Sequence, residues 1–303
     1  MIKFIKKVFS YPFLSFLQAY PIRWYILSVF SCLCGHQFMV WNAFGPITAS
    51  MAFAFNWTLG NISWMTMWGT ITFIFFVFPF LWLMEKYGLK VVVRLMASLI
   101  FAGAGLRMIN VEGTAFLWLS HFGSIFNGIA GALVMSAPSA LSAAWFPPNE
   151  RMIATSISQA CAFLGSGLSF LVGPAMVSEP NSTMIDEKIN SIYNNSTGVD
   201  VIIEEIREYM VVDTVIAVLL LVLTIIYFPN QPPTPPSASS SIAKTNFIAG
   251  AIEIFRTKDA WLCAFAYAIP GGTLLAWQVI FICDPTPNFP LHFSFSDEKR
   301  IGS

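Results

Sequence analysis

The polar side chains able to bind or react with a solute are few, and they stand inside long apolar runs. His36, Gln37, Trp41 and Asn42 fall within two helical turns, ahead of Pro46. His121 and Asn127 form a second group, and Ser158 and Gln159 a third. Tyr267 precedes Pro270-Gly271-Gly272. These types suit binding. Amides and hydroxyls hydrogen-bond a polar solute, and Trp41 or Tyr267 can hold a cation over a ring. Imidazoles such as His36 and His121 titrate near neutrality, so they are candidate proton relays as well as candidate structural hydrogen-bonders. The residues do not compose a catalytic set. HExxH, GxSxG and GxxxxGK[ST] are all absent. Gly103-Ala104-Gly105 and Gly165-Ser166-Gly167 lack the third glycine of a dinucleotide loop and are expected to let helices pack closely. The five cysteines show no CxxC pair and no metal-ligand spacing. The sequence therefore gives no catalytic residue, no metal and no cofactor.

The elements that must position these residues follow from composition. Only 11% of the 303 residues are charged, against roughly 25% in soluble globular proteins, and 56% are hydrophobic. Too little polar surface exists to cover a particle in water, so the expected solvent is lipid. Net charge is zero, which gives no reason to expect a nucleic-acid partner. Seven stretches can cross a bilayer as helices of about 20 residues. They are Trp24–Gly45, Trp64–Met84, Val91–Ile109, Ala115–Ala137, Met152–Val177, Val211–Phe228 and Ala260–Ile282. The Pro-Gly-Gly of the seventh is expected to break its helix and free carbonyls.

In a span, polar residues face a cavity or a partner helix, because lipid penalises them. Gln37, Trp41, Asn42, Asn127, Gln159 and Tyr267 are thus the candidate lining of a solute cavity. Their alternative role is interhelical hydrogen bonding. Residues 229–258, with Pro232-Pro233-Thr234-Pro235-Pro236 and a serine run, read as a flexible linker. The expected organisation is a six-helix unit over 1–228, the linker 229–258, and a further helix with a polar tail over 259–303.

Charge sets the expected orientation. Lys3, Lys6, Lys7 and Arg23 precede span one; Lys86, Lys90 and Arg94 lie between spans two and three; Arg151 lies between four and five. The intervening loops lack this bias, and the loop before span six is acidic. A cytosolic N-terminus follows. Glycosylation acceptors agree, since Asn56, Asn61, Asn181, Asn194 and Asn195 all fall in loops one and five, on the opposite side. Within loop five, Ile202, Ile206, Tyr209 and Met210 recur at helical spacing against Glu204, Glu205 and Glu208. They form either a short amphipathic helix or an extension of span six.

Leu81–Lys90 reads LWLMEKYGLK. It resembles the loop between helices two and three of the major facilitator superfamily, with Glu85, Lys86, Gly88 and Lys90 matching and Leu81 in place of the leading glycine. There an acid and a base can latch neighbouring helices in one transport state. VWNAFGPI at Val40–Ile47, NGIAG at Asn127–Gly131, WFPPNERMIAT at Trp145–Thr155, LVGP at Leu171–Pro174 and FAYAIPGG at Phe265–Gly272 narrow the likeness. They are similar to solute carrier family 49, the feline-leukaemia-virus-receptor-like transporters, and within it to the disrupted-in-renal-carcinoma branch. The resemblance implies an all-α membrane protein, twelve helices in two six-helix halves, of which this chain carries the first half and a seventh helix. It also implies alternating-access transport of a small amine or vitamin, such as choline, ethanolamine or pyridoxine, with heme as an alternative substrate. A proton is a candidate coupled ion, and a lysosomal or plasma membrane the expected location. The aromatic positions that hold a cationic amine in relatives fall on Trp41 and Tyr267, whereas the polar family position in span five falls on Phe163. After Ile282 no further apolar span follows, so truncation is expected, and a non-transporting fragment is one alternative. A seven-helix receptor is another, opposed by the side on which the sequons fall.

Overall fold

A computed structural model describes residues 20–182, 184, 197–234 and 247–283. Described residues form helices and connections, with no strand among them. The order is α1 (Ile22–Trp41), α2 (Thr48–Phe55), α3 (Leu59–Tyr87), α4 (Leu89–Ile109), α5 (Gly113–Trp145), α6 (Arg151–Met176), α7 (Thr197–Ile226), α8 (Phe247–Arg256) and α9 (Lys258–Cys283). The seven long helices overlie the seven stretches expected to span. Five of them, α3 to α7, are long and apolar enough to cross a membrane by length and composition alone. Helix α1 is long enough at 20 residues, but His36 and Gln37 dilute its hydropathy.

Local chemistry sets the boundaries. Thr58 caps α3 by accepting from Asn61 N–H at 3.2 Å. Gly88, at φ +84°, ends α3 and starts α4 in a conformation that disfavours any side chain. Pro147 and Pro148 keep α5 from running into α6.

Two expectations need correction, and one open alternative is decided. Helix α9 continues through Pro270-Gly271-Gly272 rather than breaking there, with Thr273 Oγ1 donating to Pro270 O at 2.8 Å. Pro270 lacks the N–H that would bond Ala266 O, a gap that membrane helices tolerate more readily than helices in water. Of the two readings open for residues 202–210, the extension of span six is the one observed, as the first half of the continuous 30-residue α7. Ile202, Ile206, Tyr209 and Met210 are buried there against Phe44, Trp57 and Phe116. Part of the supposed flexible linker is helix α8. Residues 235–246 of that linker, the tail from Asp284 and the acceptors Asn194 and Asn195 lie outside the described residues.

Up-and-down helices bring Arg23, Gly88, Glu150 and Asn230 to one end of the bundle, here the basic end. Glu112, Ser178 and Glu205 come to the other, the acidic end. On the basic end Arg23 pairs with Glu150 at 3.1 Å and stands over Trp24 and Phe146. On the acidic end Arg207 meets Glu204 and Glu112. The outside of the bundle is apolar, with Ile74, Phe75, Leu171 and Ile226 exposed. Trp24, Trp82, Tyr87 and Tyr227 are exposed near the basic end, and Trp64 and Trp118 near the acidic end. An apolar belt between two aromatic girdles is the pattern a bilayer selects.

Small residues permit the tight helix crossings. A Cβ on Gly35 would lie 2.9 Å from Cys161 O, and one on Gly165 would overlap Gly35 O. Gly103 and Gly123 face each other in the same way across α4 and α5, each too close to the other's carbonyl to carry a side chain. Close approach of backbones is how membrane helices gain dispersion energy without a hydrophobic drive. Gly105 and Gly167 face open space and make no such contact.

Candidate functional site

The polar residues singled out from the sequence separate into distinct settings. Gln37 on α1 and Asn127 on α5 form a reciprocal clasp. Gln37 Nε2 donates to Asn127 O at 3.1 Å, and Asn127 Nδ2 donates to Gln37 O at 3.2 Å. Both side chains are buried, and Gly131 leaves room for Gln37. Asn42 Nδ2 donates to Phe38 O at 3.1 Å and to Ser166 Oγ at 3.0 Å, which ties the end of α1 to α6. These bonds occupy donors in helix contacts, while Gln37 Oε1 and Asn127 Oδ1 have no hydrogen-bond partner among the described residues.

Trp41 has a different setting. Its indole N–H donates to Thr66 O at 3.0 Å. Its ring lies on Gly69 of α3, where a Cβ would come within 2.6 Å of the indole. One side chain is thereby fixed by a hydrogen bond and a glycine seat, half-buried. Phe38 meets Trp41 edge-on at 5.4 Å and Phe163 at 5.9 Å. The three rings form a row along α1 and α6, and Phe163 is exposed. Gln159 is half-buried one turn before Phe163 on α6. Tyr267 is 75% exposed on α9, which packs chiefly against α3 and α8 among the described helices. The structure thus brings Trp41, Phe38 and Phe163 together and leaves Tyr267 on a separate helix.

The loop motif forms the α3–α4 elbow. Lys86 Nζ stands over Trp82 at 4.8 Å and over Tyr87 at 5.2 Å, and Glu85 is half-buried. Asn230, just past α7, fills the hollow at Gly88, and its Oδ1 accepts from Lys90 N–H at 3.1 Å. Arg94 donates to Ile225 O at 2.8 Å on the same end. The elbow is therefore pinned to the end of α7 by a residue that the loop motif does not contain.

A third setting was not anticipated. Arg107 of α4 is buried, donates to Val40 O and to Ser124 Oγ at 2.9 Å each, and lies 4.8 Å from the Phe44 ring. His36 and Asp213 of α7 approach at 3.0 Å. Both ionic residues stand two positions inside the stretches expected to span, so they read as boundary charges. Their signal in the sequence was opposite charge, each two residues from the terminus of its expected span on the same side. His121 is partnered instead by Trp68, whose indole N–H donates to Nδ1 at 3.0 Å. No group of three or more metal-ligating side chains occurs among the described residues.

This helical arrangement matches known proteins. Residues 13–295 match the family described as Major Facilitator Superfamily. The chain belongs to the major facilitator superfamily. It is a multi-pass integral membrane protein, and its relatives are transporters rather than enzymes. It is 36% identical over 281 residues to "Solute carrier family 49 member 4 homolog" of Xenopus tropicalis, covering 92% of this chain and 59% of that protein. It is 26% identical over 273 residues to "Choline/ethanolamine transporter FLVCR2" of Homo sapiens, covering 88% of this chain and 49% of the relative. A solved structure of a bacterial homologue of the human lysosomal transporter Spinster, inward-facing and unoccupied, superposes with TM-score 0.60 at 16% identity. That likeness covers 88% of this chain and 56% of the other, and it shows the fold. The chain spans about 59% of the length of its family 49 relatives.

Proposed function

We propose that this chain supplies the N-terminal six-helix half, and the first helix of the second, to an alternating-access transporter of small amine- or vitamin-like solutes. Choline, ethanolamine and pyridoxine are the candidate substrates. The observation that carries the reading is the fixed aromatic row Trp41–Phe38–Phe163 on a major facilitator half. A cationic headgroup over Trp41 gains about 0.5–2 kcal/mol, and the Thr66 bond and Gly69 seat mean that little side-chain freedom is lost on binding. Gln159 offers an amide beside that row. The reciprocal clasp of Gln37 and Asn127 leaves two carbonyl acceptors that a solute ammonium or hydroxyl can use once α1 and α5 part. Tyr267 would close the site from the second half.

The basic end, with Arg23, Lys86 and Lys90, faces the cytosol, and Asn56, Asn61 and Asn181 face the lumen or exterior, of a lysosome or the plasma membrane. The Glu85–Lys90 elbow acts as the conformational latch. The test is binding of each of the three solutes to the purified chain in lipid nanodiscs, together with uptake into vesicles by a form carrying a second six-helix half. Trp41→Ala is expected to weaken binding about 2- to 30-fold, the equivalent of that cation–π energy. Unaltered binding would remove Trp41 from the site, and binding without uptake in the extended form would favour a non-transporting role.

A further inference from the structure

A short piece of α3 backbone seats Trp41. Thr66 O accepts the Trp41 indole N–H, and Gly69 underlies its ring. Trp68 stands between those two positions. Its own indole reaches α5 and donates to His121 Nδ1 at 3.0 Å. Beside this bond the two helices touch through backbone. A Cβ on Gly128 of α5 would come to 2.8 Å from Gly69 Cα and 3.1 Å from Trp68 O. The segment that holds Trp41 is therefore pressed on α5 at Gly69 and tethered to it at Trp68.

Trp68 and His121 share one depth, roughly 12–14 Å from the acidic end at 1.5 Å per residue. Trp64 lies 6.0 Å from the Trp68 ring and Trp118 6.0 Å from the His121 ring, and both belong to the exposed girdle of that end. His121 is half-buried one turn inside Trp118, within reach of protons from the aqueous phase there. An indole N–H only donates, so Nδ1 carries no hydrogen and the His121 ring is neutral, with its hydrogen on Nε2. An imidazolium has hydrogen on both nitrogens and accepts nothing. The tether thus exists only while His121 is neutral.

Among the described residues no charged side chain pairs with His121. Helix α3 carries no charge before Glu85, and α6 none after Arg151. Arg107 of α4 is engaged by Val40 O and Ser124 Oγ, and His36 of α1 faces Asp213 of α7. Glu112, at the head of α5, meets Arg207. The thiols of Cys34 and Cys161 belong to the α1–α6 crossing. The occupancy of the tether is accordingly set by the proton on His121 itself.

We infer that His121 is a positioning residue for Trp41 and acts through Trp68. Neutral, it tethers residues 66–69 of α3 to α5 and so keeps the thermal freedom of the Trp41 ring small. Protonated, it releases the Trp68 indole, and the carbonyl and the glycine that seat Trp41 move with that segment. The inference rests on the transporter reading for what Trp41 receives, though not for the tether. A cationic solute is held best with His121 neutral and less well as the phase at the acidic end turns acid.

The test follows the indoles directly. The chain is purified in lipid nanodiscs with 15N-labelled tryptophan, and Trp41→Phe and Trp68→Phe assign the two N–H signals. Exchange of the Trp41 indole hydrogen with deuterium is measured from neutral pH to about pH 5. His121→Asn places an amide oxygen where Nδ1 stands and does not titrate, so it keeps the tether and cancels the intrinsic pH dependence of exchange. His121→Leu removes the tether. Wild type and His121→Asn should match at neutral pH. On acidification the wild type should exchange at Trp41 about 2- to 10-fold faster than His121→Asn, the span of one neutral hydrogen bond. His121→Leu should show the fast rate already at neutral pH. Equal rates in all three proteins at every pH would overturn the inference, as would an acid response that survives in His121→Asn. If the variants do not fold, the Trp68 signal of the wild type decides: it must move with the midpoint of the His121 ring, and a signal that stays in place overturns the tether. Ethanolamine affinity on the same samples separates the two readings. Ethanolamine bound at no pH counts against the transporter reading, while the exchange rates still judge the tether; ethanolamine bound with one pH profile in wild type and His121→Asn overturns the positioning role.

Discussion

The crossing of α1 and α6 predicts a large and specific cost for one added methyl group. In Gly165→Ala the new Cβ would overlap Gly35 O and come to 2.7 Å from Gly35 Cα. Ordinary carbon–carbon contact is about 3.5–4.0 Å, so the helices must part by about 1 Å. A gap of that size forfeits up to about half of each dispersion well along the crossing. It also stretches the Ser31–Ser158 bond, now 3.3 Å, and the Asn42–Ser166 bond, now 3.0 Å, to or past the limit of a useful hydrogen bond. Overpacking costs about 1–3 kcal/mol, and each interhelical bond is worth about 0.6 kcal/mol. The sum is about 3 kcal/mol. Gly167→Ala, two residues on in the same helix and facing open space, is the matched control, because both substitutions share the same gain in helix propensity. Equilibrium unfolding of the two variants in mixed micelles should differ by about 3 kcal/mol, with Gly167→Ala the more stable. A difference under about 0.5 kcal/mol would refute the packing argument.

Two further outcomes follow from the ends of the bundle. Asn230→Ala removes the acceptor for Lys90 N–H and should increase protease cleavage at the α3–α4 elbow, at a stability cost of about 1 kcal/mol; unchanged cleavage would mean that the elbow holds itself. Asn181 is exposed and its Oδ1 accepts from Met184 N–H, so Asn181→Gln should remove one glycan's mass in cells that glycosylate. A glycan on any residue of the basic end would reverse the proposed orientation.

The spans were legible because lipid imposes a single requirement, about 20 apolar residues in a row, which composition displays directly. The gaps have particular causes. The break expected at Pro270-Gly271-Gly272 applied a rule for helices in water, whereas α9 runs through all three residues. Whether residues 202–210 are a separate helix or an extension of span six stayed open in the sequence because Glu204, Glu205 and Glu208 interrupt the apolar run. The apolar face at Ile202, Ile206 and Tyr209 gains a partner only when the chain folds back on Phe44, Trp57 and Phe116. Trp41, Asn42 and Gln37 were identifiable as polar residues within a span, but their partners Thr66, Ser166 and Asn127 come from three other helices. The Arg107–Asp213 relation spans 106 positions of sequence, and only the antiparallel return of α7 beside α4 makes the two charges neighbours. Asn230 escaped notice for the same reason, as its partner Lys90 is 140 residues away.

Asn230 also determines how mechanical strain passes through the molecule. Residues beyond it lead on towards α8 and α9, so any pull from that direction arrives first at a side chain seated in the hollow beside Gly88. The load is then shared with a turn laid down much earlier in the chain, and α7 is spared from fraying at its end. Displacement of the later helices would thus be felt at the α3–α4 elbow before it is felt in the interior.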